Sequence, residues 1–404
     1  MAIFLIFAGI TILGLVGYGF QVFAVRSHTF LSPLHSGEGS PLPPHFPPIS
    51  VLKPLKGLDD NLFDNLESFC TQDYPAYEII FSLQDYNDPA YMVARKVKEK
   101  YPDRDISIIV ERCNEGLNPK VNNLIPAYGI AKHQHILISD SNIMVERNYL
   151  REIVKPMSEP SVGLVSNLIK GVGSRSLGSV FENLHMNSFV MGSVCFLDKF
   201  LKMPCVVGKS MLMKKSDLEA IGGLRAFRDV LAEDYVIGRR MNEYGKRVVL
   251  SGHMIRNVNH YWGISKFINR HTRWGKLRWK IGGLKYFSEL IGNSVFMSSL
   301  PLVLWQPSKI SISFALFVCL LKAGGDYYIG KRTYSDLNPF LYFLAPVKDI
   351  LIGLMWPIPL VSHTVVWRGN RYIIGKDSVL SSCPETGIWS WRYRFVDAIR
   401  GRLA

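Results

Sequence analysis

The sequence predicts an α/β domain with a mostly parallel sheet, flanked by membrane segments. Short apolar runs alternate with helix-length segments between residues 49 and 157, and this alternation is typical of βαβ units. The apolar residues are also concentrated at both ends of the 404-residue chain, whose mean hydropathy is +0.11 although 20% of its residues are charged. A polar globular part joined to strongly apolar segments explains this combination.

The first apolar stretch, residues 3–25, contains no charged residue and is long enough to cross a hydrocarbon core of about 30 Å as a helix. A cleaved signal peptide is the alternative. No Lys or Arg precedes the run, however, and it is longer than the apolar part of most signal peptides. We therefore predict a transmembrane anchor over residues 1–26. Arg26 favours a cytoplasmic position for the domain that follows.

Residues 27–48 contain six prolines among Ser, Gly and His, and such a composition is typical of a semi-rigid, extended linker. The globular domain is expected to span residues 49–283. Its first half contains four predicted strands and four predicted helices. The strands are 49–52, 78–83, 106–110 and 135–139, and the helices are 61–71, 89–100, 121–131 and 147–157.

Residues 284–366 are predicted to hold two or three membrane segments, at 286–305, 310–321 and 340–366. The last contains Lys348 and Asp349, which indicates either a neutralised pair facing a cavity or an interfacial helix. The tail, residues 367–404, is basic and aromatic and suits the level of the lipid headgroups.

The net charge of +14 is compatible with nucleic acid, an anionic membrane or a polyphosphate ligand. Because the basic residues are densest beside apolar segments, we favour the membrane and expect no nucleic-acid partner. The six cysteines lie far apart without CxxC or zinc-ligand spacing, so neither a disulfide framework nor a structural zinc site is expected.

Acidic turns follow two of the predicted strands, at the carboxyl ends where open α/β sheets bind ligands. Asp140 opens the turn Asp140-Ser141-Asn142 and could hold Mg²⁺ or Mn²⁺ against the diphosphate of a nucleotide donor. An ordinary turn is the alternative. Asp88 could accept a hydrogen bond from the donor, or could simply cap the helix that begins at Pro89.

Glu233 and Asp234 open a helix-like segment, and either could be the base that removes a proton from an attacking hydroxyl. A single carboxylate opposite the leaving group would give inversion. The alternative is a pair of acids favoured at a helix start by the helix dipole. Lys120 lies at another predicted helix start, where it could reach a phosphate.

The segment Arg270-His271-Thr272-Arg273-Trp274 lies in a very basic stretch. Arginine binds phosphate through two hydrogen bonds, and tryptophan offers a flat stacking surface. An interfacial amphipathic helix is the alternative. Both interpretations apply if the site opens onto the bilayer, as a lipid acceptor requires.

Taken in order, these motifs resemble the ceramide glucosyltransferase family, whose signature is D, D, D, (Q/R)xxRW. The similarity runs from about residue 49 to 280, and the apolar ends lie in matching places. The series comprises Lys53-Pro54-Leu55-Lys56-Gly57, Gln84-Asp85 with Asp88-Pro89, Asn118-Pro119-Lys120 with Asn123-Leu124, Asp140-Ser141, Glu233-Asp234-Tyr235 and Arg270 with Arg273-Trp274.

The resemblance implies a GT-A fold and inverting transfer of glucose from UDP-glucose to the primary hydroxyl of ceramide. It matches Asp88 and Asp140 to the donor and metal positions and Asp234 to the catalytic base. Lys53, Lys120, Arg270, Arg273 and Trp274 are then expected to bind the donor.

Three alternatives remain open from the sequence. The turn at Asp140 is similar to that of bacterial relatives that transfer N-acetylglucosamine to hopanoid lipids, and diacylglycerol is a further possible acceptor. A non-catalytic lipid-binding membrane protein would not need acids at successive strand ends. A processive polysaccharide synthase shares the signature but usually has more membrane segments.

Overall fold

The computed structural model describes residues 2–30, 46–203, 205–305, 307–367 and 370–383. Most of the predicted linker and the part of the predicted tail beyond residue 383 lie outside the described residues. The six cysteines are all described, and all are free.

The centre of the molecule is an eight-stranded mixed sheet in the order β3-β2-β1-β4-β7-β6-β8-β5, with a separate three-stranded sheet formed by β9, β10 and β11. The four predicted strands are β1 to β4, and they pair in parallel. The strands are β1 Ile49–Pro54, β2 Tyr77–Leu83, β3 Ile106–Val110, β4 His135–Ser139, β5 Ile143–Met144, β6 Val162–Val172, β7 Ser210–Lys214, β8 Arg247–Val258, β9 Thr364–Trp367, β10 Asn370–Ile374 and β11 Leu380–Ser382.

The second half of the large sheet is less regular than the sequence predicts. β7 runs antiparallel to both β4 and β6, and it follows a long helical stretch over residues 177–201. β5 is also antiparallel to its neighbour β8, whereas β6 and β8 are parallel. The sheet is therefore parallel at one side and mixed at the other.

Fifteen α-helices surround the sheet and form the apolar ends among the described residues. They are α1 Ala2–Phe30, α2 Leu62–Cys70, α3 Pro89–Lys100, α4 Pro119–Ile130, α5 Tyr149–Val154, α6 Leu177–His185, α7 Met191–Phe196, α8 Lys215–Ala220, α9 Glu233–Glu243, α10 Ile264–Gly282, α11 Phe287–Gly292, α12 Ser294–Leu304, α13 Lys309–Arg332, α14 Ala345–Met355 and α15 Ile358–Val361.

The two helices that matter most for the site, α3 and α4, begin at capping residues, of which the sequence predicts Asp88. Asp88 accepts a hydrogen bond from the Ala90 backbone N–H, and Asn118 accepts from Lys120 and Val121. Proline follows each cap. It suits the first helical position because an N–H there would have no partner within the helix. These caps fix the directions in which α3 and α4 leave the carboxyl ends of their strands.

Three helical stretches are long and apolar enough to cross a bilayer: Ile3–Thr29, Lys309–Arg332 and Pro339–Val361. A bent pair, Ile264–Gly292 with Ser294–Leu304 at 72°, would be a fourth if it forms one span. The sequence predicts that the second stretch ends at residue 321, but α13 continues to Arg332. The charges of Lys322 and Asp326 in this extension are compensated by ion pairs.

The compensation is an ion-pair network between α1, α13 and α14. Lys322 lies 2.5 Å from Asp326, which also accepts a hydrogen bond of 2.7 Å from the Tyr18 hydroxyl. The Lys348 ammonium lies 2.7 Å from the Asp349 carboxylate. Lys348 and Asp349 thus form the neutralised pair that the sequence allowed, and they face the helix bundle.

The segment after the last membrane helix differs from the prediction. The sequence extends the membrane segment to residue 366, yet α15 ends at Val361 and β9 begins at Thr364. The three-stranded sheet then packs on the α/β domain, because the Leu231 N–H donates to Ser378 O at 2.9 Å and the Leu380 N–H donates to Asp229 O at 2.7 Å. Residues 370–383 therefore belong to the surface of the α/β domain.

Candidate active site

The site is built where β1 and β4 end side by side. Their parallel register, with Leu52 opposite Ile138, brings Lys53 beside the turn that follows β4. The fully buried Lys53 ammonium donates to the Asp140 backbone oxygen at 2.7 Å and to Ser139 Oγ at 3.3 Å. Burial lowers the pKa of Lys53 to about 7. Lys53 thus fixes the backbone of the acidic turn.

The Asp140 carboxylate is held by two lysines. Lys120 Nζ lies 2.8 Å from its Oδ1 and Lys209 Nζ lies 2.9 Å from its Oδ2. Burial would raise the pKa of Asp140, but these two ammonium groups hold it well below its usual range. Asp140 is therefore ionised at any physiological pH.

Lys209 is a site residue that the sequence does not single out. It follows Gly208 in the loop before β7, a position without a motif of its own. The antiparallel pairing of Ser139 with Ser210 brings the residue before β7 next to the residue after β4. Only that register, which sequence patterning does not specify, places Lys209 beside Asp140.

Lys120 joins the two acidic parts of the site. Besides Asp140, its ammonium contacts Glu233 Oε1 at 2.9 Å and donates to Gly208 O at 2.8 Å. Burial opposes its charge, but Asp140 and Glu233 outweigh burial and raise the pKa of Lys120. Asn118 adds a second link, since its Nδ2 lies 3.2 Å from Glu233 Oε2.

Asp234 is bound differently from its neighbour Glu233. Its Oδ2 accepts from the Gly208 N–H at 2.7 Å and its Oδ1 accepts from the Tyr235 N–H at 2.8 Å. Burial and the negative charge of Glu233 raise the pKa of Asp234 to about 6. Each oxygen retains a lone pair after these bonds, so Asp234 can accept a proton.

Gly208 sets the position of Asp234 by close approach. A Cβ on Gly208 would lie 2.7 Å from Asp234 Oδ2 and 3.0 Å from its Cβ. We expect Gly208→Ala to displace the carboxylate and lower kcat at least about tenfold, because misplacement of a catalytic group by about 1 Å can cost a hundredfold. Steady-state kinetics test this, with Gly129→Ala as the control, since a Cβ on Gly129 meets no atom within 4 Å. Unchanged kcat in Gly208→Ala would contradict the expectation.

Asp88 lies at the neighbouring strand end and acts as a cap. Its two oxygens accept from the Gly57 N–H at 2.9 and 3.0 Å, and its Oδ1 accepts from the Ala90 N–H at 2.9 Å. The contacts of Asp88 therefore fix the loop after β1 to the start of α3. The helix-cap interpretation of Asp88 applies, and a donor contact would have to use its remaining lone pairs.

A cavity of about 420 Å³ lies beside these residues, a size typical of small-molecule sites. Pro119 and Asn122 of α4 form one wall, so the helix that carries Lys120 borders both the cavity and the lysine-bound acids. The three-stranded sheet closes another wall. The lining residues are Lys56, Gln84, Asp85, Arg112, Asn114, Gly116, Leu117, Pro119, Asn122, Asn370 and Tyr372.

The basic motif of α10 is anchored to α6. Arg270 Nε lies 3.4 Å from Glu182 Oε1, and His271 Nε2 lies 2.9 Å from Glu182 Oε2. The Arg270 guanidinium also lies over two indole rings, at 5.1 Å from Trp262 and 4.3 Å from Trp274. Glu182 belongs to no sequence motif, yet its carboxylate orients Arg270 and His271 at the start of the Arg270–Trp274 motif.

Arg273 faces a different neighbour. Its guanidinium lies 5.8 Å from the ring centroid of Trp367 in β9, next to the three-stranded sheet. The structure therefore gathers Lys53, Lys120, Asp140 and Glu233 into one cluster of direct contacts, and Gly208 links Asp234 to it, because its N–H donates to Asp234 and its oxygen accepts from Lys120. It places Asp88 and the Arg270–Trp274 motif on adjoining elements.

The residues around Asp140 do not fit a divalent ion in the way that the sequence predicts. Both carboxylate oxygens are bonded to ammonium groups, and Asn142 Oδ1 accepts from Lys209 at 2.9 Å. Mg²⁺ at a nucleotide site is usually held by one or two carboxylates together with substrate phosphates and water, and the Asp140 carboxylate is already bonded to two ammonium groups. In the described part of the chain, no three His, Cys, Asp or Glu side chains group together as a metal site.

Comparison with known proteins gives a family match over most of the chain. The model of glycosyl transferase family 21 matches residues 9–380. Ceramide glucosyltransferase 3 of Caenorhabditis elegans is 33% identical over 344 residues, which cover 81% of this chain and 72% of that protein. Ceramide glucosyltransferase 1 of the same organism is 29% identical over 358 residues, with the same coverage of both chains.

Among solved structures, the mannosyltransferase PcManGT from Pyrobaculum calidifontis, in complex with GDP-Man and Mn²⁺, is 14% identical. The similarity covers 87% of this chain and 98% of that one, with a TM-score of 0.47. TarS residues 1–349 from S. aureus are also 14% identical, covering 82% of this chain and 97% of that one, with a TM-score of 0.38.

Proposed function

Because the chain belongs to glycosyl transferase family 21, we propose that it transfers glucose from UDP-glucose to the hydroxyl of ceramide or a related lipid. The chain is a glycosyltransferase similar to ceramide glucosyltransferases, and its α/β domain has the GT-A fold. The donor, the acceptor and a cytoplasmic position of the site are the proposed parts. One observation carries them: Lys120 joins Asp140, at the end of β4, to Glu233, which precedes Asp234 at the start of α9, in a chain whose described residues include three helices long and apolar enough to cross a membrane.

The nucleoside of the donor is proposed to occupy the cavity of about 420 Å³. Its diphosphate would then extend along the first turn of α4 toward Lys120. The positive end of the α4 dipole and the Lys120 ammonium both favour negative charge there. Lys53 supports this site by holding the Asp140 backbone, and Asp88 supports it by holding the loop that contains Lys56.

Asp234 is proposed as the base rather than Glu233. Both oxygens of Glu233 are engaged, one with the Lys120 ammonium and one with Asn118. Asp234 accepts hydrogen bonds from the backbone N–H groups of Gly208 and Tyr235 and forms no ion pair with Lys120 in the contacts of the described residues. Its pKa of about 6 suits proton transfer near neutral pH. Glu233 then holds Lys120 in place.

The acceptor is proposed to arrive from the bilayer along α10. This helix contains Arg270, Arg273 and Trp274, and it leads into the bent pair with α12, a candidate membrane span. A lipid hydroxyl can therefore reach the site while its chains stay in an apolar environment. No step of the proposed reaction runs through Mg²⁺ or Mn²⁺, because the oxygens around Asp140 are bonded to lysines.

The test is transfer of label to lipid. Detergent-extracted full-length protein would be incubated with labelled UDP-glucose or UDP-N-acetylglucosamine, each against ceramide, hopanoid and diacylglycerol. We expect lipid-soluble label with UDP-glucose and ceramide. Label only with UDP-N-acetylglucosamine and hopanoid would replace both substrates, and no label in any arm would overturn the proposed function.

The pH dependence of transfer follows from Asp234. Its pKa is raised to about 6, and a base must be ionised, so kcat/KM is expected to fall about tenfold per pH unit below pH 6. Above that pH the carboxylate is charged and the profile should level off. A pH–rate profile of the wild-type protein measures this limb, and an acidic limb with a midpoint near 4 would contradict it.

A further inference from the structure

The ammonium of Lys209 lies between the two residues of the acidic turn that a metal would use. Lys209 Nζ is 2.9 Å from Asp140 Oδ2 and 2.9 Å from Asn142 Oδ1. Asp140 and Asn142 are the first and third residues of the turn Asp140-Ser141-Asn142. Asp140 Oδ2 and Asn142 Oδ1 both face the Lys209 ammonium, so they converge on one position. A divalent ion bridging the turn would need that spot.

The other oxygens of the turn are also engaged. Lys120 is bonded to Asp140 Oδ1, and Lys53 donates to the Asp140 backbone oxygen. The Ser141 hydroxyl donates to Asp59. A divalent ion bound between Asp140 Oδ2 and Asn142 Oδ1 would have to displace the Lys209 ammonium, because two cations at such a separation repel strongly in a partly buried site.

The surroundings of Lys209 match the needs of a diphosphate. Its side chain is only 16% exposed, so its position is set by the fold rather than by solvent. It lies in the same loop as Gly208, whose backbone N–H fixes Asp234 and whose oxygen accepts from Lys120. Lys209 and Lys120 therefore flank Asp140 within reach of the proposed base.

We propose that Lys209 takes the place of a divalent ion: with Lys120, its ammonium binds the diphosphate of the donor directly, and donor binding does not require a metal. This inference rests on the proposed function. In the transfer step the bond between the anomeric carbon and the diphosphate oxygen breaks, and its electron pair stays on the leaving diphosphate. The acceptor oxygen bonds to the anomeric carbon, and its proton goes to Asp234. The two ammonium groups keep their protons and stabilise the new negative charge.

The first experiment measures binding rather than turnover. UDP would be titrated into detergent-purified full-length protein by calorimetry, once with EDTA and once with Mn²⁺. We expect dissociation constants that agree within about threefold, because the lysines neutralise the diphosphate in both conditions. A UDP dissociation constant at least tenfold higher in EDTA than with Mn²⁺ would overturn the inference. Glucose transfer to lipid could still be intact in that case.

The second experiment uses Lys209→Met, which keeps the length of the side chain and removes its charge. In EDTA this variant is expected to bind UDP about 10- to 100-fold more weakly, as expected for loss of a charged hydrogen bond. Lys96→Met, at an exposed position on α3, is the control and should bind UDP as the wild type does. Wild-type affinity of Lys209→Met in EDTA would overturn the inference.

The same variant offers a gain-of-binding test. Removal of the ammonium leaves Asp140 Oδ2 and Asn142 Oδ1 free, so Lys209→Met is expected to bind one Mn²⁺ in the presence of UDP. Electron paramagnetic resonance of free Mn²⁺ would count bound ions. One Mn²⁺ bound per wild-type chain at micromolar concentration would overturn the inference, even if the variant does not fold.

Discussion

Replacing Asp234 by Asn is expected to reduce turnover by about 10²- to 10⁴-fold, the range typical for loss of a general base. The amide is uncharged and cannot take the proton of the acceptor hydroxyl. UDP affinity should stay close to that of the wild type, because the phosphates are proposed to bind to lysines. The measurement is kcat for transfer of labelled glucose to lipid, together with UDP binding by calorimetry.

The control for this variant is Glu243→Gln, an acid at the other end of the same helix, α9. Its side chain is exposed and lies 3.5 Å from Arg239, so both folding and turnover should be unchanged. In Asp234→Asn the NH₂ group of the new amide would face a backbone N–H, donor against donor, so the melting temperature must also be compared. Near-normal turnover of Asp234→Asn would exclude Asp234 as the base.

Replacing Lys120 by Met is expected to have the second largest effect. The ammonium contacts Asp140, Glu233 and Gly208 O, so its loss leaves the buried Glu233 carboxylate without its cation and the half-buried Asp140 with Lys209 alone. Breaking a buried ion pair in this way costs about 3–5 kcal/mol of stability. We also expect kcat/KM to fall about 10²- to 10³-fold, the effect of losing one group that stabilises charge in the transition state.

Thermal unfolding and kinetics of Lys120→Met would be measured together, with Lys132→Met as the matched control. Lys132 also contacts two acids, Glu78 and Asp105, but its side chain is 55% exposed. Solvent screens the pair with Asp105, and Glu78 keeps its hydrogen bonds from Ser50 Oγ and the Lys132 backbone N–H, so the control should retain the wild-type melting temperature and activity. Wild-type activity in Lys120→Met would contradict the proposed position of the diphosphate.

The first half of the sheet could be predicted from sequence because its signals are local. The strands β1 to β4 are continuous apolar runs, and α3 and α4 begin at Asp88 and Asn118, each followed by proline. Parallel strands bring their carboxyl ends to one edge. Lys53 and Asp140 could therefore be expected near each other from the sequence alone.

The second half could not be predicted, because its contacts depend on antiparallel register between distant segments. Lys209 is brought to Asp140 by the pairing of β4 with β7, and Glu182 is brought to Arg270 by the packing of α6 on α10. Neither the lysine nor the glutamate stands in a motif. The sequence indicates the acid of the turn, but it does not show that the Lys120 and Lys209 ammonium groups contact the Asp140 carboxylate.

The three-stranded sheet has a consequence for how the enzyme matures. The segment that leads into Glu233 and Asp234 is tied to Ser378 and Leu380 through backbone hydrogen bonds, although about 150 residues separate them. A ribosome must therefore complete nearly the whole polypeptide, and the apolar helices in between must enter the bilayer, before the acids acquire their final support. We expect a nascent chain halted earlier to carry the signature residues without this support.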